Sequence, residues 1–383
     1  MASSAVWKPG FADVIERFGD PLQQNLSKQG RKVFSQVQAC RTSILGGQVL
    51  RCDKCHQHHL QYHSCRNRHC PRCGYQASQE WVNARAQDVL PVTYHHLVFT
   101  LPHELNPIVG QYKAQLYKLL FDAVWRTLKA FASDPRGLNG ELGATLMLHT
   151  WGQTLIRHVH IHCLVPGGAL QGNGLWRPAK STYLFPVRAL SRVYRGKMVA
   201  SLRRSREFFE QIDDAQMDKL LDDLMSIEWN VYSKPVLAKP RTVVEYLGRY
   251  TKRIGLSNAR LLKMDDTHVW LKYRDSRDEK GKIMKLAGEE LLRRFLLHLL
   301  PRGFMRVRYY GYLANTHRRR KLMEIRQALD EEVVTTAQSE NVTVQKGYVP
   351  ICTKCDQQMV IVKVIRSILN QSVLTTRSGI NTS

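Results

Sequence analysis

Between Arg157 and Gly168 the chain sets His158, His160 and His162 at every second position, with Val159, Ile161 and Cys163 between them. The alternation has a period of two, β-branched residues are frequent, and Pro166-Gly167-Gly168 ends the run, so the stretch predicts a strand. Side chains alternate across a strand, which puts the imidazoles on one face and the apolar residues on the other. Two imidazoles two residues apart on one face can share a divalent metal ion. A polar sheet face satisfied by hydrogen bonds is the structural alternative, and it accounts for one histidine more readily than for three in alternation.

A second stretch, residues 241–253, reads as a helix opened by Pro240 and Arg241 and ended near Gly255. Tyr246 and Tyr250 stand at i and i+4, so their phenols share a face, about 6 Å apart at the Cβ atoms. Tyrosine can act as a covalent nucleophile toward an activated centre. Arg249, Lys252 and Arg253 add positive charge suited to a phosphate. Taken alone, the pair reads as core packing; beside a histidine strand it reads as chemistry.

The third constellation is cysteine. Six of the nine cysteines fall between Cys40 and Cys73, and the chain opens without a basic segment followed by an apolar run, which favours metal over disulfides. Cys52-Asp-Lys-Cys55 and Cys70-Pro-Arg-Cys73 are separated by fourteen residues, one short of the usual four-cysteine zinc spacing. The expectation is one structural Zn²⁺ on Cys52, Cys55, Cys70 and Cys73, with no position left open. Cys65 and His69 lie in the loop and can replace one of these ligands or join a second ion. Cys352-Thr-Lys-Cys355 is a lone pair after a polar linker, half of a site whose remainder the sequence does not identify. No internal repeat is apparent.

Lys plus Arg number 57 against 32 for Asp plus Glu, a net charge of +25 over 383 residues. Such a surplus over a whole enzyme points to a polyanion, with nucleic acid ahead of a membrane surface, since neither a polybasic anchor nor an apolar run near 18 residues occurs. The hydrophobic share of 43% describes a folded globular chain. Arg66, Arg68 and Arg72 on the cysteine loop, and Arg302, Arg306, Arg308 and Arg318 to Lys321, read as DNA-contacting or solvated basic surface.

These residues need elements to position them. Residues 11–38 look helical, 75–89 read as a linking helix, and Tyr94 to Thr100 is a strand stopped by Pro102. A long amphipathic helix follows, burying Leu105 through Leu128. Leu142 to His149 is a strand joined by a short loop to the histidine strand, as an antiparallel neighbour. Residues 187–224 are helical, Trp229 to Ser233 a short strand, and three short strands at 259–264, 268–273 and 282–286 precede a helix over 289–300. The pattern predicts an α+β fold with an antiparallel sheet. Three domains are expected: a helical, cysteine-rich zinc-binding unit (1–90), a core bearing the histidine strand and the tyrosine helix (91–256), and a basic C-terminal region with a terminal C-x-x-C (257–383).

His160-Ile161-His162 followed some eighty residues later by Tyr246-x-x-x-Tyr250 resembles the HUH endonuclease superfamily. More narrowly, the chain resembles the two-tyrosine rolling-circle transposases of bacterial insertion sequences, the IS-ninety-one type. The phrases that carry the likeness are Tyr94 to Glu104, Leu148 to Gln153, Tyr246 to Tyr250 and Arg293 to His298. The resemblance implies histidines on a central strand facing a tyrosine helix, and a cysteine-rich module that reaches Cys52, Cys55, Cys70 and Cys73. It implies strand cleavage and rejoining on single-stranded DNA at transposon ends and target, through a 5′-phosphotyrosine. His160 and His162 would hold a catalytic Mg²⁺ or Mn²⁺, with Tyr246 and Tyr250 as nucleophiles. A third ligand is open among His149, Gln153, His158 and Glu245. The setting expected is the bacterial cytoplasm, at the nucleoid, with a homodimer compatible. Three other readings stay open: a plasmid or phage replication initiator or relaxase, a hydrolytic metal-dependent nuclease, and a zinc-bearing DNA-binding protein with an inert core.

Overall fold

The structure, a computed structural model, describes residues 7–180, 183–236, 242, 248, 255–275, 277–329 and 350–368. At its centre is a five-stranded antiparallel sheet in the order β12-β4-β5-β3-β8, formed by β3 (Tyr94–Thr100), β4 (Gly143–Trp151), β5 (Arg157–Pro166), β8 (Val231–Val236) and β12 (Val307–Gly311). The histidine strand is β5, the middle strand, paired with β4 on one side and β3 on the other. The α+β expectation is met.

Period-two burial divides this sheet into two faces. Leu97, Phe99, Leu146, Leu148, Ile161, Cys163 and Val165 are buried in the main core. That core is completed by two helices, α5 (Lys113–Ala132) and α6 (Val187–Arg204), which supply Leu116, Leu120, Val124, Leu190, Tyr194 and Met198. Each fully buried aliphatic side chain there contributes about 1.5–3 kcal/mol. The other face carries the histidines: across the pairing, His162 stands opposite Met147 and Val98, and His160 opposite His149 and Thr100.

Helix α3 (Gly74–Ala86) lies over part of the histidine face. Its Trp81 packs with Tyr94, Met147 and Leu164 and donates its indole N–H to the Tyr309 hydroxyl at 2.8 Å. The expected long helix after β3 is broken at Tyr112 into α4 (Asn106–Gln111) and α5. Similarly, residues 11–38 form α1 (Phe11–Phe18) and α2 (Lys28–Ala39), separated by a 3-10 turn over Asp20–Asn25. Pro21 sits at the start of that turn, where its missing N–H costs no ladder bond. Ser27 caps α2 by accepting from Gly30 N at 3.1 Å.

The linear three-part division of the chain gives way to interleaving. Strands β9 (Leu261–Met264), β10 (His268–Arg274) and β11 (Gly281–Ala287), with helix α8 (Gly288–Leu297), pack against α1 and α2 in one shared core. Phe11 and Phe295 meet there with ring centroids 4.4 Å apart. Strand β12, from the expected C-terminal region, is an edge of the central sheet. Strand β13 (Met359–Ile365) pairs with β1 (Gly47–Cys52), which also pairs with β2 (His58–Tyr62). Apolar pairing surfaces presented far apart in sequence find one another because burial, not chain order, sets the stability. Among the described residues no helix is long and apolar enough to cross a membrane.

Candidate metal centre and the cysteine clusters

Three histidines converge on the open face of the central sheet. His160 and His162 come from β5 and His149 from β4, and their ligand-capable nitrogens lie within 4.8 Å of one another. All three are buried. His160 Nε2 and His162 Nε2 are 3.0 Å apart. Two nitrogens bound at right angles to one ion, at about 2.1 Å each, would stand about 3 Å apart, so the pair fits a shared divalent cation. His149, one of the residues left open as a third ligand, is set directly beside His160 by the antiparallel register.

Hydrogen bonds orient these rings. His160 Nδ1 donates to the His158 carbonyl oxygen at 2.9 Å, which assigns its proton to Nδ1 and leaves the Nε2 lone pair for a metal. His162 Nδ1 faces His96 Nε2 at 2.8 Å, with the two rings stacked at 5.0 Å between centroids. Burial, reinforced by neighbouring histidines, lowers the His160 pKa to about 3 and the His162 pKa well below the ordinary value. Burial lowers that of His96 to about 4. Neutral imidazole, the form a metal takes, is therefore the form this face favours near neutral pH.

Of the other candidate ligands, His158 is exposed, with its ring centroid 4.8 Å from that of His160 and its backbone carbonyl bonded to His160 Nδ1, and Gln153 is exposed, with its backbone carbonyl accepting from Arg260. His69 is buried, its pKa lowered to about 3 by burial and by Arg68, Arg306 and Lys113, and among the described residues it joins no metal-competent group. Tyr246, Tyr250, Glu245, Arg249, Lys252 and Arg253 lie outside the described residues. Their described neighbours are informative. The Gly248 carbonyl accepts from Ser78 Oγ of α3, and a side chain at 248 would run into Val82. Gly255 sits so close to Trp151 that only a glycine fits. Trp151 in turn stacks on His149, centroids 4.7 Å apart. Gly248 is thus held against helix α3 and Gly255 against the Trp151 ring.

The cysteines assemble differently from expectation. Cys52 and Cys55 do not meet Cys70 and Cys73. One cluster joins Cys40, Cys65, Cys70 and Cys73; the other joins Cys52, Cys55, Cys352 and Cys355. The reason is the fold of the module: β1 and β2 carry the first knuckle away from the loop and present it to β13. In the first cluster Cys73 Sγ lies 3.6 Å from Cys40 Sγ and 3.7 Å from Cys65 Sγ. Cys40 stands twelve residues before the first knuckle, outside any C-x-x-C signal, which is why spacing missed it. His96 was missed because it lies on a different strand from the ligand it orients.

A cavity of about 710 Å³ separates the cysteine loop from the start of β12, lined by Arg66, Arg68, Gln76, Glu80 and Arg306 among others. Arg306 accepts through its carbonyl from Leu148 N at 3.0 Å, one residue before His149, and its guanidinium lies 5.4 Å over the Trp151 ring. Burial, then Arg68, lowers its pKa to about 9. Arg66 and Arg68 from the first basic cluster read in the sequence and Arg306 from the second therefore line one cavity, which Arg306 joins to the Trp151 ring beside His149.

Comparison with known proteins settles the family. Residues 11–101 match the family model described as "Transposase zinc-binding domain", and residues 143–321 match the one described as "Putative transposase". The chain is 39% identical over 346 residues to "Putative transposase y4qJ" of Sinorhizobium fredii (strain NBRC 101917 / NGR234), covering 87% of each chain. It is 29% identical over 296 residues to "Transposase for insertion sequence element IS801" of Pseudomonas savastanoi pv. phaseolicola, covering 74% of this chain and 70% of that one. The chain belongs to the transposases of the IS-ninety-one type. It is a DNA-processing enzyme, and the zinc-domain match together with the cysteine clusters supports structural zinc in this transposase. No solved structure matches it.

Proposed function

We propose that this transposase cleaves and rejoins single-stranded DNA by tyrosine transesterification, as in rolling-circle movement of a DNA segment. The observation that carries the reading is the convergence of His149, His160 and His162 on one buried sheet face beside an arginine-lined cleft. A Mg²⁺ or Mn²⁺ held there would polarise a non-bridging phosphate oxygen. Imidazole nitrogens suit Mn²⁺ better than Mg²⁺.

The chain's own residues do the rest. The phenolic oxygen of Tyr246 or Tyr250 attacks phosphorus, the phosphorus–oxygen bond to the 3′ side breaks, and the departing 3′ oxygen takes up a proton. The product is a 5′-phosphotyrosine and a free 3′-hydroxyl. Bond energy is kept in the covalent link, so rejoining needs no nucleotide cofactor. Phenol is mostly protonated near neutral pH, so Arg249, Lys252 and Arg253 are assigned to favouring phenolate as it attacks. Arg66, Arg68 and Arg306 hold the strand by its phosphates. Two tyrosines allow one to keep a strand while the other cuts. The Cys40, Cys65, Cys70 and Cys73 cluster holds a structural Zn²⁺ in this reading, since four thiolates leave no open position.

The test is incubation of the full chain with labelled single-stranded DNA from an element's ends and Mn²⁺. A denaturant-resistant protein–DNA adduct is expected, lost on chelation and absent from the Tyr246→Phe/Tyr250→Phe double variant. Cleavage without an adduct would assign hydrolysis instead. An adduct in the double variant would move the nucleophile elsewhere. Tyr232, half-exposed on β8 with its ring 6.5 Å from that of His96, would be the first residue to replace.

A further inference from the structure

The second cysteine cluster is built from two copies of one small device. Cys52-Asp-Lys-Cys55-His56-Gln57 and Cys352-Thr-Lys-Cys355-Asp356-Gln357 agree at four of six positions. Their backbones agree further. In the first, Cys52 N donates to Gln57 O at 2.9 Å and His56 N to Cys52 O at 2.8 Å; in the second, Cys352 N donates to Gln357 O at 2.8 Å and Asp356 N to Cys352 O at 2.9 Å. The residue after the second cysteine takes a left-handed conformation in both, with φ of 57° at His56 and 55° at Asp356.

The two knuckles face each other. Cys52 Sγ is 3.3 Å from Cys355 Sγ, Cys55 Sγ is 3.5 Å from Cys352 Sγ, and Cys55 and Cys355 sulfurs are 3.6 Å apart. A disulfide needs about 2.05 Å. Four sulfurs arranged tetrahedrally at about 2.3 Å from one Zn²⁺ would stand about 3.8 Å from each other, close to what is found here. Leu50 and Met359 are buried against the cysteines. Four thiolates around Zn²⁺ leave two negative charges, and Lys54 and Lys354, at matching positions in the knuckles, supply two positive ones. Neither family match extends to Cys352 or Cys355, which lie beyond residues 11–101 and 143–321.

We infer that Cys52, Cys55, Cys352 and Cys355 bind a second structural Zn²⁺, distinct from the ion assigned to Cys40, Cys65, Cys70 and Cys73, and that this ion fastens the C-terminal strand β13 to the N-terminal module. Tetrahedral all-thiolate ligation selects zinc over Mg²⁺ or Mn²⁺. The assignment is independent of the tyrosine chemistry.

Zinc counting on the full chain tests it. Elemental analysis of wild-type protein after dialysis is expected to give two zinc ions per chain, and Cys352→Ser/Cys355→Ser to give one. Should that variant not fold, cobalt titration of the wild type serves: thiolate-to-cobalt charge-transfer absorption is expected to saturate at two equivalents, since a histidine site adds none. A protease site placed within residues 330–349 tests the fastening. After cleavage, the fragment bearing β13 is expected to stay with the body and to be released by a zinc chelator. One zinc per wild-type chain, an unchanged count in the double variant, saturation at one equivalent, or a Cys52–Cys355 disulfide by mass spectrometry would overturn the second site. A fragment that stays bound after chelation would overturn the fastening.

Discussion

His160 and His162 could be read from the chain because a strand's period of two announces a shared face within four residues of sequence. His149 could be named only as one of several third ligands. What brings it beside His160 is the pairing of β4 with β5, and register between strands is not written in either strand alone. His96 is further from reach: its contribution is a single ring nitrogen 2.8 Å from His162 Nδ1. Removing a residue that only orients a metal ligand typically costs 10- to 100-fold in affinity or activity. If His149 is a ligand in the proposed cleavage, replacing it should cost at least that, so His149→Ala is expected to lower the cleavage rate on the order of 100-fold or more. Binding of single-stranded DNA without divalent metal should stay within about two-fold, because phosphate contacts supply it. A variant cleaving at the wild-type rate would return the third position to another residue.

Elements were legible where local pattern dominates and illegible where distant segments meet. The strands at 94–100 and 143–151, and the three short strands after residue 257, follow from alternation and turn residues. That α1 and α2 would seat on α8 does not follow, because each shows only an apolar stripe and a stripe does not name its partner. Phe295 is the hinge-pin of that contact, touching Phe11 at 4.4 Å and Phe34 at 6.4 Å between centroids. Phe295→Ala should destabilise the protein by about 3–5 kcal/mol, read as a lower denaturant midpoint. The loss is expected to appear in the unfolding of residues 11–39 and 261–299 together, by hydrogen exchange, since they share one core. Independent unfolding of the two segments would refute the shared core.

For the molecule as a whole, the surplus of +25 announced a polyanionic partner, and the fold shows where part of it gathers. Arg66 and Arg68 from the cysteine loop face Arg306 from the start of β12 across one cavity, although some 240 residues separate them. Each phosphate contact contributes roughly 0.9 to the slope of log affinity against log salt on duplex DNA and roughly 0.7 on single strands. Arg66→Ala/Arg68→Ala is therefore expected to reduce the salt slope for single-stranded DNA by about 1.4, with weaker binding irrespective of sequence. An unchanged slope would leave those arginines as solvated surface.

The interleaving of distant segments also sets a clock. Ribosomes deliver about 5–20 residues per second, and domains fold as their parts emerge. Strand β4 is complete at residue 151, yet its edge partner β12 ends at residue 311, roughly 10–30 s later at those rates. Cys55 waits longer for Cys352, roughly 15–60 s, since 297 positions separate them. During that interval the first knuckle is a bare dithiol, and the strand bearing His149 has an unpaired edge. A message cut short before the codons of β12, or a ribosome that stalls there, therefore releases a chain whose central sheet has an open edge and whose first knuckle lacks its partner, and quality control meets it as an exposed strand edge.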